Sequence, residues 1–215
     1  MAKFRMPTAV FASGEGTNLQ AVIDAVAADQ LPLDLNLVLS DKPGAYALQR
    51  AARSGIPAQC YEFRPAIETR ASYAVRLAAA VRASGARLVL LLGWMRVLAP
   101  EFIDAGFLGV LNLHPAYLPE DPAADVVTLP DGTRCRAFRG PHALRDAIAA
   151  GAGMVGATLI QITPEVDRGP VLARKQCPLL PGDDETAALQ RLHSVEREVV
   201  REGIWAWLTQ RGIDG

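Results

Sequence analysis

Residues 87–93 read RLVLLLG, and an apolar run of that length without polar alternation suits a strand covered on both faces. It closes a series in which β-rich runs, TAVFA, LNLVLS, AQCYEF and RLVLLLG, alternate with helical patterns at 18–28, 45–53 and 69–83. Strands alternating with helices predict an α/β fold, a doubly wound and mostly parallel sheet with helices on both faces. Such a sheet binds ligands beyond the carboxyl ends of its strands. A chain of 215 residues, half of them hydrophobic, can bury a sizeable core, and no repeat, low-complexity tract or linker divides it, so one domain over 1–215 is expected.

After Pro119 the alternation breaks. VVTL and TRCRAF flank Pro130-Asp131-Gly132, a turn signal, which predicts an inserted β-hairpin over about 121 to 137. A helix near 142–150, strands ATLIQIT and PVLARKQCPL joined by the turn PEVDRGP, and a long closing helix over 184–208 complete the chain.

The run LGVLNLHPAYLP, at 108–119, ends a buried strand with an amide and an imidazole. Residues two apart in a strand share a face, so Asn112 and His114 project together while Leu111 and Leu113 point the other way. Pro115 disfavours helical geometry for His114 and stops the strand there. Two polar groups therefore stand side by side at a strand's carboxyl end, where a site forms in this architecture. Asp167 lies in VDRGP, whose Asp and Gly are also ordinary turn formers.

FASGEGTNLQ follows the first strand and opens a helix, so the backbone amides of Gly14, Glu15, Gly16, Thr17 and Asn18 can converge on an anion at the positive end of the helix dipole. A phosphate loop, a dinucleotide loop with Asp41 ending the second strand, and a plain tight turn all fit the glycines. Leu19 occupies the third glycine position of the dinucleotide pattern, where close packing wants the smallest residue. Met95 and Arg96 follow the fourth strand at the sheet's carboxyl edge. Arg70 and Glu196 lie on helices, where a solvated face is the default.

The net charge of −1 gives no global reason to expect nucleic acid or an anionic membrane as a partner, and any anion must be held by a local site. Cys60, Cys135 and Cys177 are scattered without metal-site or redox spacing and read as free thiols in a reducing compartment; no metal is expected. The start MAKFRMPTAVFASG is too weakly apolar for a secretory signal, and LVLLLGWM falls far short of the roughly 20 residues a membrane helix needs. A cytoplasmic location is expected.

The motifs SGEGTNLQ, GWMRVLAP, LNLHPAYLP, GPHALRDAI and GATLIQITPEVDRGPVL, with a glutamate in the final helix, resemble in this order the folate-dependent formyltransferases, specifically those acting on glycinamide ribonucleotide. The resemblance covers all but the excursion and the termini. It implies a nucleotide-binding and phosphate-binding half, 1–107, and a catalytic and folate-binding half, 108–215. It places Asn112, His114 and Asp167 on a catalytic trio, Gly14 to Asn18 on a phosphate loop, Arg70 on a phosphate-side arginine and Glu196 on a carboxylate that holds ribose hydroxyls. Met95, Arg96, Val97 and Leu98 fall on the segment whose backbone meets the pterin ring. The co-substrate implied is 10-formyltetrahydrofolate and the pathway de novo purine biosynthesis.

The chemistry suits that trio. An amine attacking a formyl carbon generates a tetrahedral oxyanion, to which Asn112 and a protonated His114 can donate. Asp167 can support the charged imidazole and help move the proton. The chain departs from the resembled pattern at Ile160, where histidine is typical, at Ala116 and Tyr117, where serine and leucine are usual, and in the inserted hairpin. Transfer to another amine, such as a nucleotide-linked amino sugar, hydrolysis of the formyl folate, and a non-catalytic nucleotide-binding module are the other readings.

Overall fold

Five apolar runs form strands β1 (Met6–Phe11), β2 (Leu33–Ser40), β3 (Ala58–Cys60), β4 (Leu88–Leu91) and β5 (Gly109–His114) in a computed structural model that describes residues 4–129 and 132–213. They pair parallel in the order β3-β2-β1-β4-β5. Every residue of β4 is buried, as its unbroken apolar run requires of a central strand. The connections are helices α1 (Thr17–Ala27), α2 (Tyr46–Arg53), α3 (Arg70–Ala83) and the single turn α4 (Pro100–Ile103). The central sheet is mostly parallel, so the α/β expectation holds.

Two boundaries differ from the sequence expectation. β3 stops at Cys60; its three residues are exposed and border only β2, so the remainder of AQCYEF gains nothing by staying in the sheet. The α4 turn was hidden behind Pro100, which reads as a helix stop yet occupies the first helical position, where a missing N–H costs nothing.

Contacts divide the chain into two compact units, with the division inside β5 between Asn112 and Leu113. In the second unit β6 (Val126–Thr128) and β7 (Arg134–Arg136) pair antiparallel as the expected hairpin. Of the expected turn, Pro130 and Asp131 lie outside the described residues, and Gly132 has φ +86°, a value that favours glycine. Helix α5 (Ala143–Ala149) leads to β8 (Met154–Gln161) and β9 (Val171–Pro178), which pair antiparallel because the turn between them is too short for a crossover.

Helix α6 (Glu185–Thr209) closes the unit. Asp184 caps it, its carboxylate accepting from Ala187 N at 2.7 Å. Its buried stripe runs through Ala188, Leu192, Val200 and Ile204 at four-residue spacing, and Glu196 falls on that stripe. The helix lies close on β8: a methyl at Gly203 would come within 2.6 Å of Leu159 Cδ2.

Candidate active site

His114 ends β5 at 3% exposure, and one of its ring nitrogens is fixed by a hydrogen bond. Nε2 lies 2.8 Å from the carbonyl oxygen of Phe138. A carbonyl only accepts, so Nε2 carries the proton and donates. Nδ1 then faces Asp167 Oδ2 at 3.5 Å. That separation exceeds the 2.7–2.9 Å typical of a charge-assisted hydrogen bond, which leaves Nδ1 uncommitted beside a carboxylate. Asn112 lies two residues earlier on the same strand, and strand alternation turns its carboxamide to the face that carries the imidazole.

Asp167 owes its place to its turn. Its φ of +53° is left-handed, a conformation that costs an ordinary side chain roughly 1–2 kcal/mol and that Asp tolerates better than most. Its Oδ2 accepts from Gly140 N at 2.8 Å, and its backbone carbonyl accepts from Arg139 Nε at 3.1 Å. A hydrogen bond to a charged group contributes about 1.5–3 kcal/mol, enough to hold the turn in this conformation. The structure thus brings His114 and Asp167 together, and it does so through residues 138–140, which sequence reasoning missed. Their contribution is a carbonyl and an amide, which leave no trace in side-chain identity.

In the first unit, the chain leaves β1 and turns at Gly16, the residue before α1, with φ +69°. A side chain there would meet Ala47 Cβ at 2.8 Å and its Cα at 2.9 Å, so glycine is required twice over. Gly16 provides no side-chain cap, and the first intrahelical bond runs from Gln20 N to Gly16 O at 2.9 Å. The amino end of α1 carries no side-chain cap, and backbone N–H groups so placed can receive an anion. Arg50, another residue not anticipated, donates from Nε to Glu15 O at 2.8 Å and brings a guanidinium to the loop.

Residues 95–98 follow β4. Met95 N donates to Ser13 Oγ at 3.1 Å, which ties this segment to the loop after β1. Met95 and Val97 expose their side chains and Leu98 is buried. Arg96 Nε donates to Asp41 Oδ2 at 2.7 Å, and the Asp41 carboxylate is 2% exposed. The Asp41 carboxylate is thus committed to a permanently charged guanidinium, which weighs against the dinucleotide reading. Arg70 also belongs to this neighbourhood: its Nη2 donates to Val97 O at 3.1 Å, and it lines with Phe63, Tyr73 and residues 95–99 a cavity of about 350 Å³. The arginine expected on the phosphate side is placed against the segment expected to meet the pterin.

Glu196, 5% exposed on the apolar stripe of α6, accepts from His193 Nδ1 at 2.9 Å, one turn away. The i+4 spacing of that stripe was the signal that this carboxylate is buried. Ile160 is buried at 1% and packs as an apolar residue. Burial raises the pKa of the Cys177 thiol, and partial desolvation with the nearby Glu62 and Asp41 carboxylates raises that of the exposed Cys60, which argues against either as a nucleophile. Among the described residues no cluster of His, Cys, Asp and Glu is arranged to hold a metal ion, and no helix is long and apolar enough to cross a membrane.

A family model described as "Formyl transferase" matches residues 6–204. The chain belongs to the formyl transferase family. This formyl transferase chain is 33% identical over 198 residues to the trifunctional purine biosynthetic protein adenosine-3 of Drosophila melanogaster, which covers 91% of the chain but only 13% of that far longer relative. It is 32% identical over 216 residues to the phosphoribosylglycinamide formyltransferase of Schizosaccharomyces pombe, covering 93% of the chain and 96% of the relative. Among solved structures it is similar to glycinamide ribonucleotide transformylase 1 from Symbiobacterium toebii, with a TM-score of 0.81 and 32% identity over 97% of this chain and 89% of that one.

Proposed function

We propose that the chain transfers the formyl group of 10-formyltetrahydrofolate to the amine of glycinamide ribonucleotide, a one-carbon step of de novo purine biosynthesis. The observation that carries this reading is the pairing of buried His114, at the end of β5, with Asp167 of the turn after β8, with the imidazole proton fixed on Nε2 by the Phe138 carbonyl. The family membership supplies the reaction class. As an enzyme of soluble metabolites, it is assigned to the cytoplasm.

In this mechanism the amine nitrogen attacks the formyl carbon, a C–N bond forms, and negative charge collects on the formyl oxygen. The Asn112 carboxamide and the His114 imidazolium donate to that oxygen. Nδ1 is the nitrogen available for this, since Nε2–H is held by Phe138. Donors aimed where charge develops stabilise the transition state more than the ground state. The intermediate collapses by breaking the bond between the formyl carbon and the folate nitrogen. Asp167 helps move one proton from the attacking nitrogen to the leaving one, so that charge balances at the end.

The remaining residues bind. The loop Gly14 to Asn18 receives the ribonucleotide phosphate, with the helix dipole of α1 behind it, and Glu196 accepts from the ribose hydroxyls. Residues Met95 to Leu98 offer backbone groups to the pterin. Given its position in their cavity, Arg70 serves the carboxylate-bearing folate, and Arg70→Ala raises KM for the formyl folate more than KM for the ribonucleotide. Steady-state kinetics check this; a larger effect on the ribonucleotide returns Arg70 to the phosphate side.

The test of the reaction is spectroscopic deformylation of the folate with and without glycinamide ribonucleotide. Turnover that depends on the amine supports transfer, whereas equal turnover without it makes the protein a hydrolase.

A further inference from the structure

The inserted hairpin stands apart from the binding and catalytic roles above, yet its base is the most densely hydrogen-bonded neighbour of the catalytic pair. Arg139 reaches three acceptors at once: Nε donates to Asp167 O at 3.1 Å, Nη1 to Asp125 Oδ1 at 3.1 Å and Nη2 to Ala124 O at 2.8 Å. Arg168, the residue after Asp167, donates to Pro122 O at 2.7 Å and to the same Asp125 Oδ1 at 2.6 Å. The segment that follows β7 then supplies Phe138 O to His114 and Gly140 N to Asp167. Ala137 N donates to Asp125 O at 2.9 Å and closes the hairpin's base.

We propose that the inserted segment is a positioning element for catalysis that acts through Arg139, just beyond its end, clamped by Asp125 so that the turn of Asp167 and the ring of His114 keep one geometry. The inference rests on the assignment of His114 and Asp167 as the catalytic pair.

The chemistry favours Arg139 for this. A planar guanidinium presents donors in a fixed fork, so one side chain can tie the Asp167 turn to the hairpin in a way that a flexible ammonium cannot. Its side chain is 14% exposed, while that of Asp125 is 72% exposed. The hydrogen bond from Arg168, and then its charge, hold the Asp125 carboxyl below the usual carboxylate range. Only the Asp125 end of this pair is exposed, and its ion pair with Arg139 contributes little to stability by itself. The effect of the clamp falls on turnover, where a displacement of about 1 Å can cost about 10²-fold.

Two variants test it, Arg139→Gln and the milder Asp125→Ala, each read by melting temperature, kcat and KM for both substrates, and the ring-nitrogen NMR signals of the three histidines. Arg139→Gln is expected to fold with a modestly lowered melting temperature, to lower kcat by about 10- to 100-fold with both KM values within about twofold, and to move the His114 ring signals while those of His142 and His193 stay put. Asp125→Ala shifts the same signals in the same direction with a smaller loss of kcat, and Arg139→Lys recovers only part of it. Parental kcat and an unmoved His114 signal in both variants overturn the inference, as does a loss of kcat matched only by unfolding. Should the parent protein fail to formylate glycinamide ribonucleotide, the proposed function falls, and the His114 signals still decide the positioning role.

Discussion

Replacing His114 by alanine is expected to lower kcat by at least about 10²- to 10³-fold, or roughly 3–4 kcal/mol, with little change in either KM. The imidazole interacts with charge that exists only in the transition state, so its loss falls on turnover. Asn112→Ala removes the other donor and is expected to cost a similar factor. Asp167→Asn keeps the shape of the turn and removes the charge beside Nδ1, and it too depresses kcat. Because the three act on one developing charge, Asn112→Ala combined with Asp167→Asn costs less than the product of the single effects. Steady-state kinetics of the three singles and this double variant check the assignment. Parental kcat in any single variant returns that residue to the role of strand end or turn former.

Gly169→Ala is expected to produce the second large effect, from a residue with no reactive group. Gly169 is buried two residues after Asp167, and a methyl built on it falls onto the carbonyl oxygen of Gln161, with the carbonyl carbon 2.8 Å away. The obstacle is backbone at the last residue of β8, where Gln161 N also donates to Pro170 O at 3.0 Å. No rotamer change relieves it, so the turn itself must move. Overpacking of this kind costs about 1–3 kcal/mol of stability, and the displaced Asp167 costs about 10²-fold in kcat. A melting curve and a kcat measurement on the same preparation separate the two losses. Unchanged values for both would mean that the turn accepts a side chain at 169.

These two predictions differ in how legible their residues were. Asn112 and His114 could be read from sequence because strand alternation and Pro115 are local rules, and the strand-to-helix glycines of 14–16 are local as well. The parallel strands were equally plain, since unbroken apolar runs such as LVLL have few other uses. What stayed hidden depends on distant parts of the chain or on backbone atoms. Asp41 looked like a ribose ligand until Arg96, far along the sequence, proved to be its partner. Arg70 changed neighbourhood because the start of α3 faces the segment after β4. Arg139, Phe138 and Gly140 gave no signal, since an arginine reaching two carbonyls, and a carbonyl fixing a tautomer, have no motif. The hairpin was visible as an insertion, but its attachment to the Asp167 turn was not.

Direct passage of the formyl carbon to the amine of glycinamide ribonucleotide is the defining step of the proposed reaction. It is tested by a single turnover with formyl folate isotopically labelled at the formyl carbon, followed by mass analysis of the products. The label is expected to be recovered as a formamide on the ribonucleotide, at the same rate as the folate is deformylated, and His114→Ala is expected to slow both together. Label recovered as free formate, with the ribonucleotide unmodified, would contradict it.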